Sequence, residues 1–175
     1  MRAALILLAA SIPALAQQNF DFKLLDKLGA NATESTNITL EGDTLKLATS
    51  FLGDDKNAFK NLTGVFVRSF EFAKAGQYRD ADLAPVRDYL KGLQWPKILD
   101  VKEDGEWTQI YMRGLGDGRL GGFALVSAEA KEVTVIFISG VFNMSDLGKL
   151  SGDLGIPSAV LEHDGKKSAP SKKEP

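Results

Sequence analysis

The stretch Ile98–Phe142, ILDVKEDGEWTQIYMRGLGDGRLGGFALVSAEAKEVTVIFISGVF, decides the fold. It holds four apolar runs, Ile98–Val101, Trp107–Met112, Leu120–Ser127 and Val133–Phe142, rich in the β-branched and aromatic residues that suit a pleated surface. Asp104-Gly105 separates the first two and is a dipeptide favoured by tight hairpin turns, whose central residues need positive φ. Leu115-Gly-Asp-Gly118 turns the chain into the third run, and Glu129-Ala-Lys131 into the fourth. Connections this short join only antiparallel neighbours. The stretch therefore predicts four consecutive antiparallel strands.

Upstream, helical and strand patterns alternate. Phe20, Phe22, Leu24, Leu25 and Leu28 suit a short first helix stopped by Gly29. Thr36, Ile38 and Leu40 alternate with Asn37, Thr39 and Glu41, a strand with one wet face. Asp43 stands where a helix cap belongs, ahead of Leu45, Ala48, Phe51 and Leu52 on one side, and Gly53 is its stop. A further helical turn follows Asp54 or Asp55, running through Phe59 and Leu62, and Val65–Phe72 is the next strand. Asp82 opens a helix with Pro85 in its first turn, where a missing N–H costs nothing, and Leu83, Val86, Tyr89, Leu90 and Leu93 follow helical spacing. Downstream, Leu147, Leu150 and Leu154 predict a last helix, capped by Asn143 or Ser145 and stopped at Gly155. Segregated elements of this kind argue an α+β fold. The expectation is two layers, a mostly antiparallel sheet of five to six strands with three to four helices.

The last strand is apolar on both sides. Val133, Val135, Phe137 and Val141 point one way, Ile136, Ile138 and Phe142 the other. Helices can cover one face and the segments near the tail the other. The alternative is an uncovered apolar sheet face that takes a protein partner or forms a homodimer.

The chain's ends read differently from its middle. Met1-Arg2, the apolar run Ala3–Ile12 and Ala14-Leu15-Ala16 have the layout of a signal peptide cut after Ala16. That run is too short to span a bilayer, which takes about 20 residues. The expected mature product starts at Gln17, is periplasmic or secreted, and has no membrane span. It also has no lipid anchor, since no cysteine exists to carry one. Without cysteines, thiol chemistry and disulfide staples are excluded, so one domain over residues 17–162 must stand on packing. Residues 163–175 contain no apolar side chain larger than Ala or Pro and are expected to be disordered. Residues 17–162 carry 16 Lys/Arg against 21 Asp/Glu, with no basic stripe interleaved with aromatics, so nucleic acid is not an expected partner.

The remaining features spell no catalytic signature. Gly116-Asp-Gly118-Arg-Leu-Gly121 matches the dinucleotide fingerprint in letters, but a strand follows it where the pyrophosphate needs a helix N-terminus. Gly121-Gly122 inside that strand reads as a bulge or a close backbone approach. The pairs Asp54/Asp55, Asp80/Asp82 and Glu103/Asp104 sit at helix starts and turns, where carboxylates bond free N–H groups. His163 is the only histidine, at the edge of the tail, and no G-x-S-x-G motif is present. The sequence thus assigns no catalytic residue, no cofactor and no metal ligand. Asn31, Asn37, Asn61 and Asn143 begin glycosylation sequons that matter only in a glycosylating host. Arg68 alone stands out as a binding candidate. By strict alternation it shares a face with Phe66, Phe70 and Phe72, where a guanidinium either stacks on rings, pairs with a helix carboxylate, or anchors an anionic ligand.

Val67-Arg-Ser-Phe-Glu-Phe72, Trp95, Gly121-Gly122, Glu132-Val-Thr-Val135, Gly140 and the ending Leu147…Leu150…Gly155-Ile-Pro157 resemble the DUF4252 family of exported bacterial proteins of unknown function. The resemblance runs from about Leu24 to Pro157. It implies a bacterial source and a non-cytoplasmic location, and lends no catalytic residue. The functional expectation is a non-enzymatic extracytoplasmic binding or protein-interaction module, in envelope sensing. Its rivals are a carboxylate-dependent hydrolase without a recognisable motif and a structural or assembly factor of the envelope.

Overall fold

The computed structural model describes residues 21–51 and 56–153. The expected signal segment 1–16, the Asp54/Asp55 pair, His163, the tail and the expected stop of the last helix at Gly155 lie outside the described residues.

Six strands form one sheet: β1 (Glu34–Glu41), β2 (Leu62–Glu71), β3 (Lys97–Glu103), β4 (Glu106–Gly116), β5 (Arg119–Ala128) and β6 (Glu132–Asn143). Their order is β1-β2-β6-β5-β4-β3, with every neighbouring pair antiparallel. The helices are α1 (Asp26–Asn31), α2 (Gly42–Phe51), α3 (Lys56–Phe59), α4 (Ala84–Gly92) and α5 (Met144–Asp153). Short 3₁₀ turns at Phe22–Leu25 and Asp80–Leu83 lead into α1 and α4. The α+β class and the antiparallel sheet are as the sequence predicts, and the three longer helices fall where apolar spacing put them.

The turns show why residue type sets register here. Asp104 and Gly105 both have positive φ, at 50° and 88°, and so do Asp117 and Gly118, at 52° and 71°. These are the paired left-handed conformations of tight hairpins, which Gly adopts freely and Asp tolerates. The dinucleotide-like letters are therefore the β4–β5 turn.

Local corrections come from side-chain bonding. The first helical segment starts as a 3₁₀ turn and then runs past Gly29 to Asn31. Thr44, not Asp43, closes the start of α2, because its hydroxyl accepts from Glu41 N–H at 3.0 Å and donates to Glu41 C=O at 2.7 Å. Asp43 instead pairs with Lys46. Before α5, Asn143 N–H donates to the carboxylate of Asp146, so the cap reaches back from inside the helix.

β6 occupies the middle of the sheet, paired to β2 and β5, and from Val133 to Ile138 both of its faces are buried, whereas Val141, expected with them, is exposed beyond the bulge at Gly140. On one face Phe66, Phe70, Tyr111, Ala124, Val135 and Phe137 pack with Leu25 and Leu28 before and within α1, and with Val86 and Leu90 of α4. On the other, Val65, Val67, Phe123, Leu125, Ile136 and Ile138 pack with Leu45 of α2, Phe59 of α3 and Leu147 of α5. Helices thus divide between the two faces, and the expected two layers become three. The doubly apolar strand is a covered central strand, and it offers no open apolar face. In α2 burial falls on Leu45, while Phe51, expected on the core side, is 80% exposed.

Two buried polar residues are satisfied inside the second face. Thr134 and Ser69 lie 3.1 Å apart and both reach Glu132 Oε1, and Ser127 meets Thr108 at 3.1 Å. No buried side-chain polar atom among the described residues lacks a partner. No described helix is long and apolar enough to cross a membrane.

Candidate functional site

Arg68 sits in β2, opposite Asn37 of β1 and Val135 of β6. Alternation aims it at the first face, as predicted, but its partners differ from those expected. The guanidinium turns toward the sheet edge, where Nη1 donates to Ile38 C=O at 2.7 Å and to Val67 C=O at 2.8 Å, and Nη2 donates to Thr39 Oγ1 at 2.9 Å. Its Cζ lies 4.0 Å from the centroid of Phe22, whose ring in turn sits 4.9 Å from Phe66. The stacking surface thus comes from the turn before α1 and not from Phe66 or Phe70. Only the tertiary fold brings residues so far apart in the chain together.

No described carboxylate forms an ion pair with Arg68. Partial burial alone lowers its pKa from the usual guanidinium value, with no charge partner contributing. The side chain lines a cleft of about 420 Å³ between α1 and the β1–β2 edge, together with Phe22, Asp26, Ser35, Asn37 and Phe70. Three of the five N–H donors of a guanidinium are used, which leaves two for a ligand. Replacing Arg68 by Met keeps the aliphatic stem and removes the hydrogen bonds and the ring stack. The expected loss is about 1–2 kcal/mol, read as a lowered Tm; an unchanged melt would mean that the guanidinium does not brace β1 on β2.

A second arrangement was visible in the sequence only as glycines. Any Cβ on Gly122 would overlap the indole of Trp95, and one on Gly121 would overlap Arg113 and Leu115. The glycines are the floor on which these side chains lie. The indole stacks on Phe137 at 5.2 Å and 14°, and Arg113 donates to Gly121 C=O at 3.0 Å. The doubled glycine signalled a close approach, but nothing in the sequence named Trp95 and Arg113 as the groups approaching.

The carboxylate pairs act locally. Asp82 accepts from Arg79 N–H at 2.9 Å within the turn before α4. Asp80 accepts two bonds from Arg87, at 2.7 and 2.9 Å, and the Arg87 guanidinium lies 4.8 Å from the ring centroid of Trp107. Hydrogen bonds from Arg87 hold the Asp80 carboxyl below its ordinary pKa. A carboxyl depressed in the folded state stabilises fully above the unfolded pKa, and that contribution is lost as pH falls through the folded value. Asp80→Asn is therefore expected to flatten the acid side of a Tm–pH curve. The neutral-pH loss should be about 0.5–1 kcal/mol, because the carboxylate is largely exposed. At the sheet rim Glu129 titrates upward, through partial burial and then the neighbouring Glu132 and Glu106. No group of acidic residues or histidine among the described residues has the arrangement of a metal site.

Fold and cleft together define a class: a six-stranded antiparallel sheet clad by helices on both faces, with a half-buried guanidinium at one edge. The chain belongs to the family described as Domain of unknown function (DUF4252), which it matches over residues 28–150. No curated protein matches the sequence. A crystal structure of a protein of unknown function from Pseudomonas aeruginosa is similar at 10% identity, covering 77% of this chain and 85% of that one, with a TM-score of 0.29. A likeness that slight bears on neither fold nor function.

Proposed function

We propose that this protein is an exported, non-enzymatic binding or protein-interaction module of the cell envelope, engaged in envelope sensing, and that its ligand presents an anionic group to Arg68. The observation that carries the reading is the half-buried guanidinium in a cleft, with donors to spare and no described carboxylate to neutralise it. A planar fork of N–H groups suits carboxylate or phosphate, and partial desolvation strengthens such a contact relative to open water. Phe22 and Phe70 supply an apolar wall beside the cation, a combination suited to a ligand with an acidic group on a hydrophobic body. Export rests on the signal-like start of the chain, and the mature protein is expected to begin at Gln17, which the intact mass of exported material checks.

The test is a thermal-shift titration of the full exported chain with phosphate, sulfate and a short dicarboxylate, against chloride at matched ionic strength. The expected result is a rise in Tm with at least one of the oxyanions that disappears in Arg68→Met. A response of equal size in the variant, or none in the parent, sinks the reading.

A further inference from the structure

The sheet is open, so it has two edges, and they are built differently. β3 is guarded: Pro96 precedes it, Lys97, Asp100, Lys102 and Glu103 make it mostly charged, and its register with β4 slips between Lys97 and Leu99. Charges, bulges and proline are the devices by which edge strands refuse further pairing. β1 has fewer of them, its charges being confined to Glu34 and Glu41 at its two ends. Its eight residues, Glu34-Ser-Thr-Asn-Ile-Thr-Leu-Glu41, include no Lys, Arg or Pro and pair with β2 in unbroken register from Glu34↔Glu71 to Glu41↔Gly64. Arg68 of β2 also donates to Ile38 C=O and Thr39 Oγ1 of this strand. Its side chains are exposed except for Ile38 and Leu40, which are half-buried and sit at the margin of the second apolar cluster.

We propose that β1 is the interface of a homodimer, in which a second copy adds its own β1 antiparallel to this one and the two sheets become continuous. The strand's own sequence argues for a second copy as occupant. A two-fold axis through Ile38 sets Ile38 against Ile38 of the second copy, Thr36 against Leu40, Asn37 against Thr39 and Ser35 against Glu41. No two carboxylates and no two cations face each other in that register, and opposed residues keep to the same side of the sheet. The pairing covers the half-buried Ile38 and Leu40 from both copies and extends the second apolar cluster across the axis. It differs from a dimer through an apolar sheet face, since described helices pack on both faces of the central strands. It also rests on the strand edge and not on the Arg68 cleft, so a monomer that still responds to oxyanions would end this proposal alone.

The absence of cysteine makes the test clean, because one introduced thiol can cross-link only to its counterpart in another molecule. Sedimentation velocity on the full exported chain is expected to show a dimer. Under mild oxidation Ile38→Cys is expected to form a covalent dimer, since residues opposed across a ladder stand about 4.5–5.5 Å apart at Cα, within disulfide reach. Thr36→Lys, an exposed position that faces Leu40 of the second copy, is expected to raise the dimer Kd about tenfold or more while the far-ultraviolet circular dichroism and Tm of the monomer stay put. A parent chain that sediments as a monomer overturns the proposal. So does a dimer that Ile38→Cys fails to cross-link while Leu47→Cys on α2 or Lys97→Cys on β3 succeeds.

Discussion

Phe137→Ala is expected to lower the stability of this protein by about 3–5 kcal/mol, the cost of deleting a large buried ring. The position lies in the centre of the central strand and is 3% exposed. Its ring is the hub of an aromatic cluster, stacked with Trp95 at 5.2 Å and close to Phe66 at 6.2 Å and Tyr89 at 6.4 Å. These neighbours come from β2, α4 and the segment after α4, so the cavity cannot close by shifting one of them. Chemical denaturation measures the effect, with the midpoint falling and the slope retained. A loss below about 1 kcal/mol, the range of surface substitutions, would show that the ring is not packed as described. Trp95 fluorescence gives a second readout, since the indole loses the ring against which it stacks.

Gly140→Ala is expected to be at least as damaging, by a different route. Gly140 has φ of +124°, outside what an L side chain adopts without strain. A Cβ there would stand less than 3 Å from Leu62 Cα, Asn61 C=O and Thr63 N–H, all of them backbone atoms of the chain entering β2. Backbone cannot step aside as a flexible side chain can, so strain and overlap add. Each contributes on the order of 1–3 kcal/mol. The register shifts on both neighbours of β6, between Leu62 and Gly64 and between Leu120 and Gly122, centre on this residue. Val141 N–H bonds Asn61 C=O across the same gap at 2.8 Å, so the close approach is also a hydrogen-bonded one. The variant should recover poorly as soluble folded protein, and Gly118→Ala gives the contrast. That glycine also has positive φ, 71°, but a Cβ there meets nothing within 4 Å, so only the conformational strain remains. Equal melting temperatures for the two variants would refute the argument.

Much of this architecture was legible because its causes are local. Asp104-Gly105 and Asp117-Gly118 dictate tight turns through backbone conformation alone, and tight turns dictate antiparallel neighbours. Alternation in β1 and the two-sided apolarity of β6 follow from the period of the pleat, and they mark a strand with one wet face and a central strand respectively. The helices were placed by spacing, though their starts were not, because Thr44 and Asp146 bond backward from inside the helix where a cap was sought in front of it.

The candidate site was legible only in part. That Arg68 would face an aromatic surface follows from strand period. That the surface is Phe22, and that the guanidinium reaches over to Ile38 C=O and Thr39, depends on a turn far back in the chain docking on the sheet. The same holds for Trp95 lying on Gly122, where the glycine announced a close neighbour without naming it. Whether β6 was bare or clad, and on how many faces, also awaited the packing of α2, α3 and α5. The sequence by itself determined strand polarity, turn type, the absence of thiol chemistry and the face on which each strand residue stands, since these rest on backbone sterics and composition. Tertiary structure alone decided which helices cover which face, which ring the guanidinium meets and which sheet edge is left unguarded. Such contacts join residues distant in sequence, and no local rule of spacing or propensity reaches across that separation.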